Sequence, residues 1–123
     1  MVKLLIIDDD LSLCDFFKNF FSKRDYQVFI ATDGEKGLSI VRDERPNIIL
    51  LDMIIMPGQF GLDILQEIKK IDDKAKVIML TGVGDKGLIE LAKMYGASDY
   101  ITKPFDLEEL EKEVMPKIIR QLL

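Results

Sequence analysis

Three aspartates, a threonine and a lysine carry the chemistry open to this sequence. Asp8 and Asp9 follow the apolar run Val2 to Ile7, Asp52 ends a run of four large aliphatic residues, Thr81 closes Val77 to Leu80, and Lys103 follows Tyr100 to Thr102. The chain has no histidine, which excludes a histidine general base, a Ser-His-Asp triad and a histidine-containing zinc site. Carboxylates gathered at one place repel one another and raise each other's pKa unless a cation neutralises them. Oxygen ligands without His or paired Cys favour Mg²⁺ (or Mn²⁺) over zinc. Asp9 and Asp8 are the ligand candidates, and Asp52 can add an oxygen. An ionised aspartate beside such an ion can also attack phosphorus and form an aspartyl phosphate. The Lys103 ammonium and the Thr81 hydroxyl are then suited to the phosphoryl oxygens.

These residues act together only if the elements bring them together. Asn47 to Asp52 is short, unalternating and apolar, the pattern of a strand buried on both faces. Strands are expected at Val2 to Ile7, Gln27 to Ala31, Asn47 to Asp52, Val77 to Leu80 and Tyr100 to Thr102. Helices are expected at Leu11 to Phe21, Gly34 to Asp43, Leu62 to Ile71, Lys86 to Tyr95 and from about Leu107, the last kinked or broken near Pro116. Asp10 reads as the cap of the first helix and Gly96 as the left-handed stop of the fourth. Strict alternation with short connections predicts an α/β fold: a doubly wound, five-stranded parallel sheet of order 2-1-3-4-5, flavodoxin-like. The switch point then falls between strands 1 and 3. Asp8, Asp9 and Asp52 meet there, with Thr81 and Lys103 arriving from neighbouring strand ends.

The 123 residues read as one domain, and a 48% hydrophobic content suffices for a single core. The net charge of −5, with scattered basic residues, argues against direct nucleic-acid binding. A single cysteine, Cys14, and the absence of a signal-peptide pattern or a membrane-length apolar run point to a reducing cytoplasm without membrane attachment. Gly82 to Gly87 satisfies G-x-G-x-x-G, but it follows the fourth strand and leaves too little chain for a dinucleotide site, so a loop hinge beside Thr81 is the better reading.

The sequence resembles the receiver domains of two-component response regulators over essentially its whole length. The matching blocks are Leu-Leu-Ile-Ile-Asp-Asp-Asp at 4 to 10, Ile-Leu-Leu-Asp at 49 to 52, Met56-Pro57-Gly58 with Gly61-Leu62, Val77 to Gly82, and Gly96 to Phe105. The resemblance implies that Asp52 accepts a phosphoryl group from a phosphohistidine on a sensor histidine kinase or a histidine phosphotransfer protein. It implies Mg²⁺ on Asp9, Asp8 and Asp52 with the Ile54 backbone carbonyl, and Thr81 and Lys103 on the phosphoryl group. It further implies a cis Lys103-Pro104 bond and Tyr100 as an aromatic switch that turns inward as Thr81 moves toward the phosphate. The fourth helix, fifth strand and fifth helix would then present an altered face to a downstream protein target or to a second copy, as a phosphorylation-dependent homodimer. Such a chain is a switch and not a turnover enzyme.

The sequence departs from that pattern where Pro57 stands five residues past Asp52 instead of four, and where Phe60 replaces an acid before Gly61. The loop 53–60 thus carries one extra residue, which bears on whether Ile54 or Ile55 offers the metal carbonyl. Ile54 and Val83, each two residues past a site residue, cannot orient an attacking water, so a long-lived phosphate is expected. Two rival readings remain. Asp8 and Asp10 form Asp-x-Asp, which resembles the motif of haloacid-dehalogenase-type phosphatases with Asp8 as nucleophile. The Phe16, Phe17, Phe20, Phe21 helix would suit a phosphorylation-independent interaction module.

Overall fold

The computed structural model describes residues 1–55, 58–82 and 86–123. Met56 and Pro57, and Val83, Gly84 and Asp85 of the glycine-rich motif, lie outside the described residues. The chain alternates β1 (Val2–Ile7), α1 (Leu11–Ser22), β2 (Tyr26–Ala31), α2 (Gly34–Glu44) and β3 (Ile48–Asp52), then α3 (Gly61–Ile71), β4 (Lys76–Thr81), α4 (Lys86–Met94), β5 (Asp99–Thr102) and α5 (107–122). The five strands form one parallel sheet in the order β2-β1-β3-β4-β5, as the alternation of elements predicts. Among the described residues, no helix is long and apolar enough to cross a membrane.

Side chains on a strand alternate between faces, and the two cores follow that period. Leu5, Ile7, Ile49, Leu51, Val77 and Met79 share one core with Val41 of α2, Leu65 and Ile68 of α3 and Ala92 of α4. Leu4, Ile6, Ile48, Leu50, Ile78 and Leu80 share the other with Cys14, Phe17 and Phe21 of α1 and Leu110, Val114 and Ile118 of α5. The central strands are therefore covered on both sides, which is why they read as continuous apolar runs. Phe17 and Phe21 are wholly buried and Phe20 nearly so, with the Arg24 guanidinium 3.6 Å from the centre of the Phe20 ring. The phenylalanines of α1 thus serve mainly as core.

Helix starts are set by short acceptors. Asp10 caps α1 through Leu13 N–H at 3.2 Å, and Asp33 caps α2 through Lys36 N–H at 2.8 Å. Gly96, at φ 103°, occupies the left-handed region after α4, the conformation a glycine tolerates best.

Two elements differ from expectation. The segment after β3 is a small antiparallel hairpin, Ile54–Ile55 pairing with Gln59–Phe60, and this hairpin absorbs the extra residue. Gly58 leads into its return strand at φ 79°. The last helix is neither broken nor stopped at Pro116. It runs from Leu107–Glu109 through a π turn, Leu110–Val114, into Met115–Leu122. Met115 N–H bonds to the carbonyl of Leu110, five residues back, so the helix widens in the turn just before the proline and continues through it.

Gly61 opens α3 against the backbone of β3. Its N–H donates to the Met53 carbonyl at 2.7 Å, and a Cβ there would collide with the Asp52 carbonyl oxygen. The colliding atom is backbone and cannot swing away. Gly61→Ala is expected to lower the unfolding free energy in urea by about 1–3 kcal/mol, because the α3 start must retreat from Asp52.

Candidate functional site

Register delivers the site. Ile7 pairs with Leu51, so Asp8 and Asp52 emerge side by side from β1 and β3; Asp52 pairs with Leu80, so Thr81 stands one residue beyond. Thr81 pairs with Thr102, which sets Lys103 just past the same edge, and Lys103 N–H donates to the Thr81 carbonyl at 2.7 Å. The Lys103-Pro104 bond is cis, as the resemblance implies. Carboxyl strand ends at a topological switch point are where open α/β sheets build their sites.

Asp8 is wholly buried and fully engaged. Its N–H donates to the Ala31 carbonyl at 3.0 Å, its Oδ1 accepts from Asp10 N–H at 3.0 Å, and its Oδ2 accepts from Lys103 Nζ at 2.7 Å. Lys103 Nζ also lies 3.4 Å from Asp52 Oδ1, and the Asp52 side chain keeps 13% exposure toward the crevice. Asp8, Asp9 and Asp52 each offer a carboxylate oxygen within 4.8 Å of the others. This all-oxygen set, with neither His nor thiolate, fits a hard divalent cation. Cys14 Sγ reaches the Asp8 carbonyl at 3.4 Å, but burial, with the charges of Asp8, Asp10 and Asp15, pushes its thiol up to about 12, so it stays protonated and offers no soft ligand.

Ile54 meets the site through its backbone. Its N–H stands near the Asp52 carboxylate and favours the charged form. Gly61 N–H bonds Met53, so the Ile54–Phe60 pair is the non-hydrogen-bonded one, and both backbone groups of Ile54 turn away from the return strand. Its side chain is 49% exposed and lines an apolar cavity of about 290 Å³ with Phe60, Leu62 and Leu88.

Thr81 and Tyr100 occupy the opposite face of the sheet from Asp52. Met79, two residues before Thr81, belongs to the α2–α3–α4 core, and Tyr100, paired with Met79, packs against the same core. The Thr81 hydroxyl is buried with no hydrogen-bond partner among the described residues. A buried hydroxyl left unpaired costs stability, and such a group at a site is a donor waiting for an acceptor. Tyr100 lies at an edge guarded by charge. Its N–H donates to Asp99 Oδ1 at 2.8 Å and its carbonyl accepts from Lys117 Nζ at 2.5 Å. The Lys117 and Lys93 ammonium groups stand 4.6 Å and 5.6 Å from the ring centre. Sequence reading did not find Lys117 or the Ile54 N–H. A lysine 17 positions past its partner gives no signal, and a backbone donor has no side-chain signature.

Burial pushes the Asp52 carboxyl up to about 6, with the Asp8 charge adding to the shift; Lys103 and the Ile54 N–H pull the other way. Burial alone would lower the Lys103 pKa, but its hydrogen bond and charge pairing with Asp8, and then Asp52, outweigh this and raise it. Because the Asp52 pKa is higher folded than unfolded, folding takes up a proton between about pH 4 and pH 6. Stability therefore falls as pH rises through that window. In EDTA at about pH 7, Asp52→Asn is expected to unfold with about 1–3 kcal/mol more free energy than the wild type. Urea denaturation at about pH 4 should show the margin shrinking, since the wild-type carboxyl is then neutral as well.

Comparison with known proteins agrees with this geometry. The family profile described as "Response regulator receiver domain" matches residues 4–115. Sporulation initiation phosphotransferase F of Bacillus subtilis is 40% identical over 112 residues, spanning 91% of this chain and 90% of that protein. The probable transcriptional regulator ycf27 of Cyanophora paradoxa is 38% identical over the same share of this chain, which spans 46% of that regulator. Among solved structures, a CheY-like response regulator receiver domain protein from Methanospirillum hungatei JF-1 superposes with a TM-score of 0.87 at 29% identity, covering 99% of this chain and 97% of that one. NtrX from Brucella abortus gives a TM-score of 0.87 at 27% identity, covering 99% of this chain but 28% of NtrX. By its sequence match and its fold together, the chain belongs to the response regulator receiver-domain family.

Proposed function

We propose that Asp52 is the phosphoacceptor of this receiver domain, taking its phosphoryl group from a phosphohistidine on a sensor kinase or a histidine phosphotransfer protein. A carboxylate oxygen of Asp52 forms the new bond to phosphorus as the bond to the imidazole nitrogen breaks; the electron pair returns to that nitrogen, and a proton on the donor ring's other nitrogen lets the imidazole leave neutral. The observation that carries this assignment is the contrast between the two acids at the crevice. Asp8 is wholly buried with both oxygens engaged, whereas Asp52 faces the opening at 13% exposure. That contrast also counts against the haloacid-dehalogenase reading, which needs Asp8 free to attack.

The other roles follow from position. Lys103 pairs with a phosphoryl oxygen, and the unpartnered Thr81 hydroxyl donates to another. Asp8, Asp9 and Asp52, with the Ile54 carbonyl, would hold Mg²⁺, which supplies charge neutralisation for the incoming oxygens. Once Thr81 is drawn toward the phosphoryl group, the space it vacates lies on the face where Tyr100 packs, so the ring can turn inward and alter the α4–β5–α5 surface. That surface would control a downstream protein target or a phosphorylation-dependent second copy. The relative named a phosphotransferase supports a role in which the group is passed on. A cytoplasmic setting suits the single, buried, unpaired cysteine.

Intact mass after incubation with acetyl phosphate tests the assignment. The wild type is expected to gain one phosphoryl group only when Mg²⁺ is present, and Asp52→Asn to gain none. An adduct retained by Asp52→Asn and lost in Asp8→Asn would overturn it. With apolar Ile54 beside the site, the adduct should persist for minutes after the donor is removed, and decay within seconds would remove that part of the reading.

A further inference from the structure

We infer that Gln59 is a positioning residue that brackets the acidic crevice and so sets its affinity for a divalent cation. The inference rests on the proposed metal site. Gln59 sits on the return strand of the hairpin, paired with Ile55, and its Oε1 accepts the backbone N–H of Gly34 at 2.8 Å. Gly34 is the first residue of α2, next to the cap Asp33. Two walls of the crevice are thereby joined from outside.

On one side the chain runs from Gly34 back to Ala31, whose carbonyl holds the Asp8 N–H at 3.0 Å. On the other it runs from Gln59 across the hairpin to Ile54, two residues past Asp52, and the Ile54 N–H stands near the Asp52 carboxylate. Asp8 and Asp52 are two of the three acids that converge, so the Gln59 bond closes a ring of backbone and side-chain contacts around them. The hairpin needs such a tie. Its strands have two residues each, too few to hold their place by pairing alone, and its outward side chains Ile54 and Phe60 are 49% and 58% exposed. Ile55, wholly buried, pins its depth, and Gln59 fixes its swing toward α2.

The acceptor is matched to its place. A helix N-terminus leaves N–H groups without partners inside the helix, and Gly34 N–H is one of these. A Cβ at Gly34 would lie 3.1 Å from Gln59 Oε1, so the glycine also makes the close approach possible. Partners that orient ligands without touching the metal commonly carry large effects on metal affinity. Gln59 acts one step further out, through the backbone, so its effect is smaller.

The test is a Mg²⁺ titration of wild type, Gln59→Met and Gln59→Glu followed by proton–nitrogen correlation NMR, reading the Gly34 and Ile54 amides. Met keeps the length but loses the strong acceptor, whereas Glu keeps an acceptor oxygen. Gln59→Met is expected to move both amides in the metal-free protein and to weaken Mg²⁺ binding about threefold or more. Gln59→Glu should hold the Gly34 amide shifted downfield and bind Mg²⁺ at least as well as wild type to within about twofold. Wild-type affinity in Gln59→Met, or equal weakening in both variants, would overturn the inference. If wild type bound no Mg²⁺, the metal reading would fail by itself; an Ile54 amide unmoved in metal-free Gln59→Met would then still overturn the role of Gln59.

Discussion

One ammonium group stands between two acids, and much of this structure exists to keep it there. Lys103 Nζ is 2.7 Å from Asp8 and 3.4 Å from Asp52, in a place where Asp8 has no access to water. A buried carboxylate without a partner is costly, so β5 has to end beside Asp8. Yet β5 and β1 are not neighbours; β3 and β4 lie between them. The register of three successive parallel pairings must therefore hold for the lysine to arrive, and the packing of two distinct cores enforces it, since a one-residue slip would exchange the side chains that each core receives.

The same alternation separates two tasks. Asp8, Asp52 and Lys103 gather on the side of α1 and α5, while Thr81 and Tyr100 belong to the side of α4. On the proposed function, phosphoryl chemistry and its readout would be divided by a single layer of backbone, with Thr81 at the border. Its hydroxyl, without a partner among the described residues, would then have a reason to move when an acceptor arrives.

The sheet and the gathering of the acids were legible because each rests on short-range pattern. An apolar run that stops at Asp8 or Asp52 marks both a buried strand and its polar end, and strict alternation with helices then leaves few topologies. Strand ends were less sharp where polar residues such as Lys76 and Asp99 belong to the sheet. The hairpin was not legible. Pro57 and Gly58 read as a loop, and strands of two residues are too short for alternation to register. Gln59 carries no signal in the sequence because its partner is a backbone N–H 25 positions away. The expectation of a kink or break near Pro116 assumes an i→i−4 ladder, and the π turn at Leu110–Val114 changes that premise.

Strand β5 is an edge of the sheet and also carries the residue proposed to switch. Edge strands offer unpaired backbone groups to any other chain in reach, and an unguarded one is an open invitation to polymerise. Here the Tyr100 N–H is occupied by Asp99 and its carbonyl by Lys117, and these two side chains lie 3.6 Å apart, with Arg120 4.0 Å from Asp99. The border of the sheet is thus upholstered in opposite charges. At Tyr100 the backbone groups that a strand of a second copy would need are already taken, so a copy that approaches this part of the edge meets side chains first.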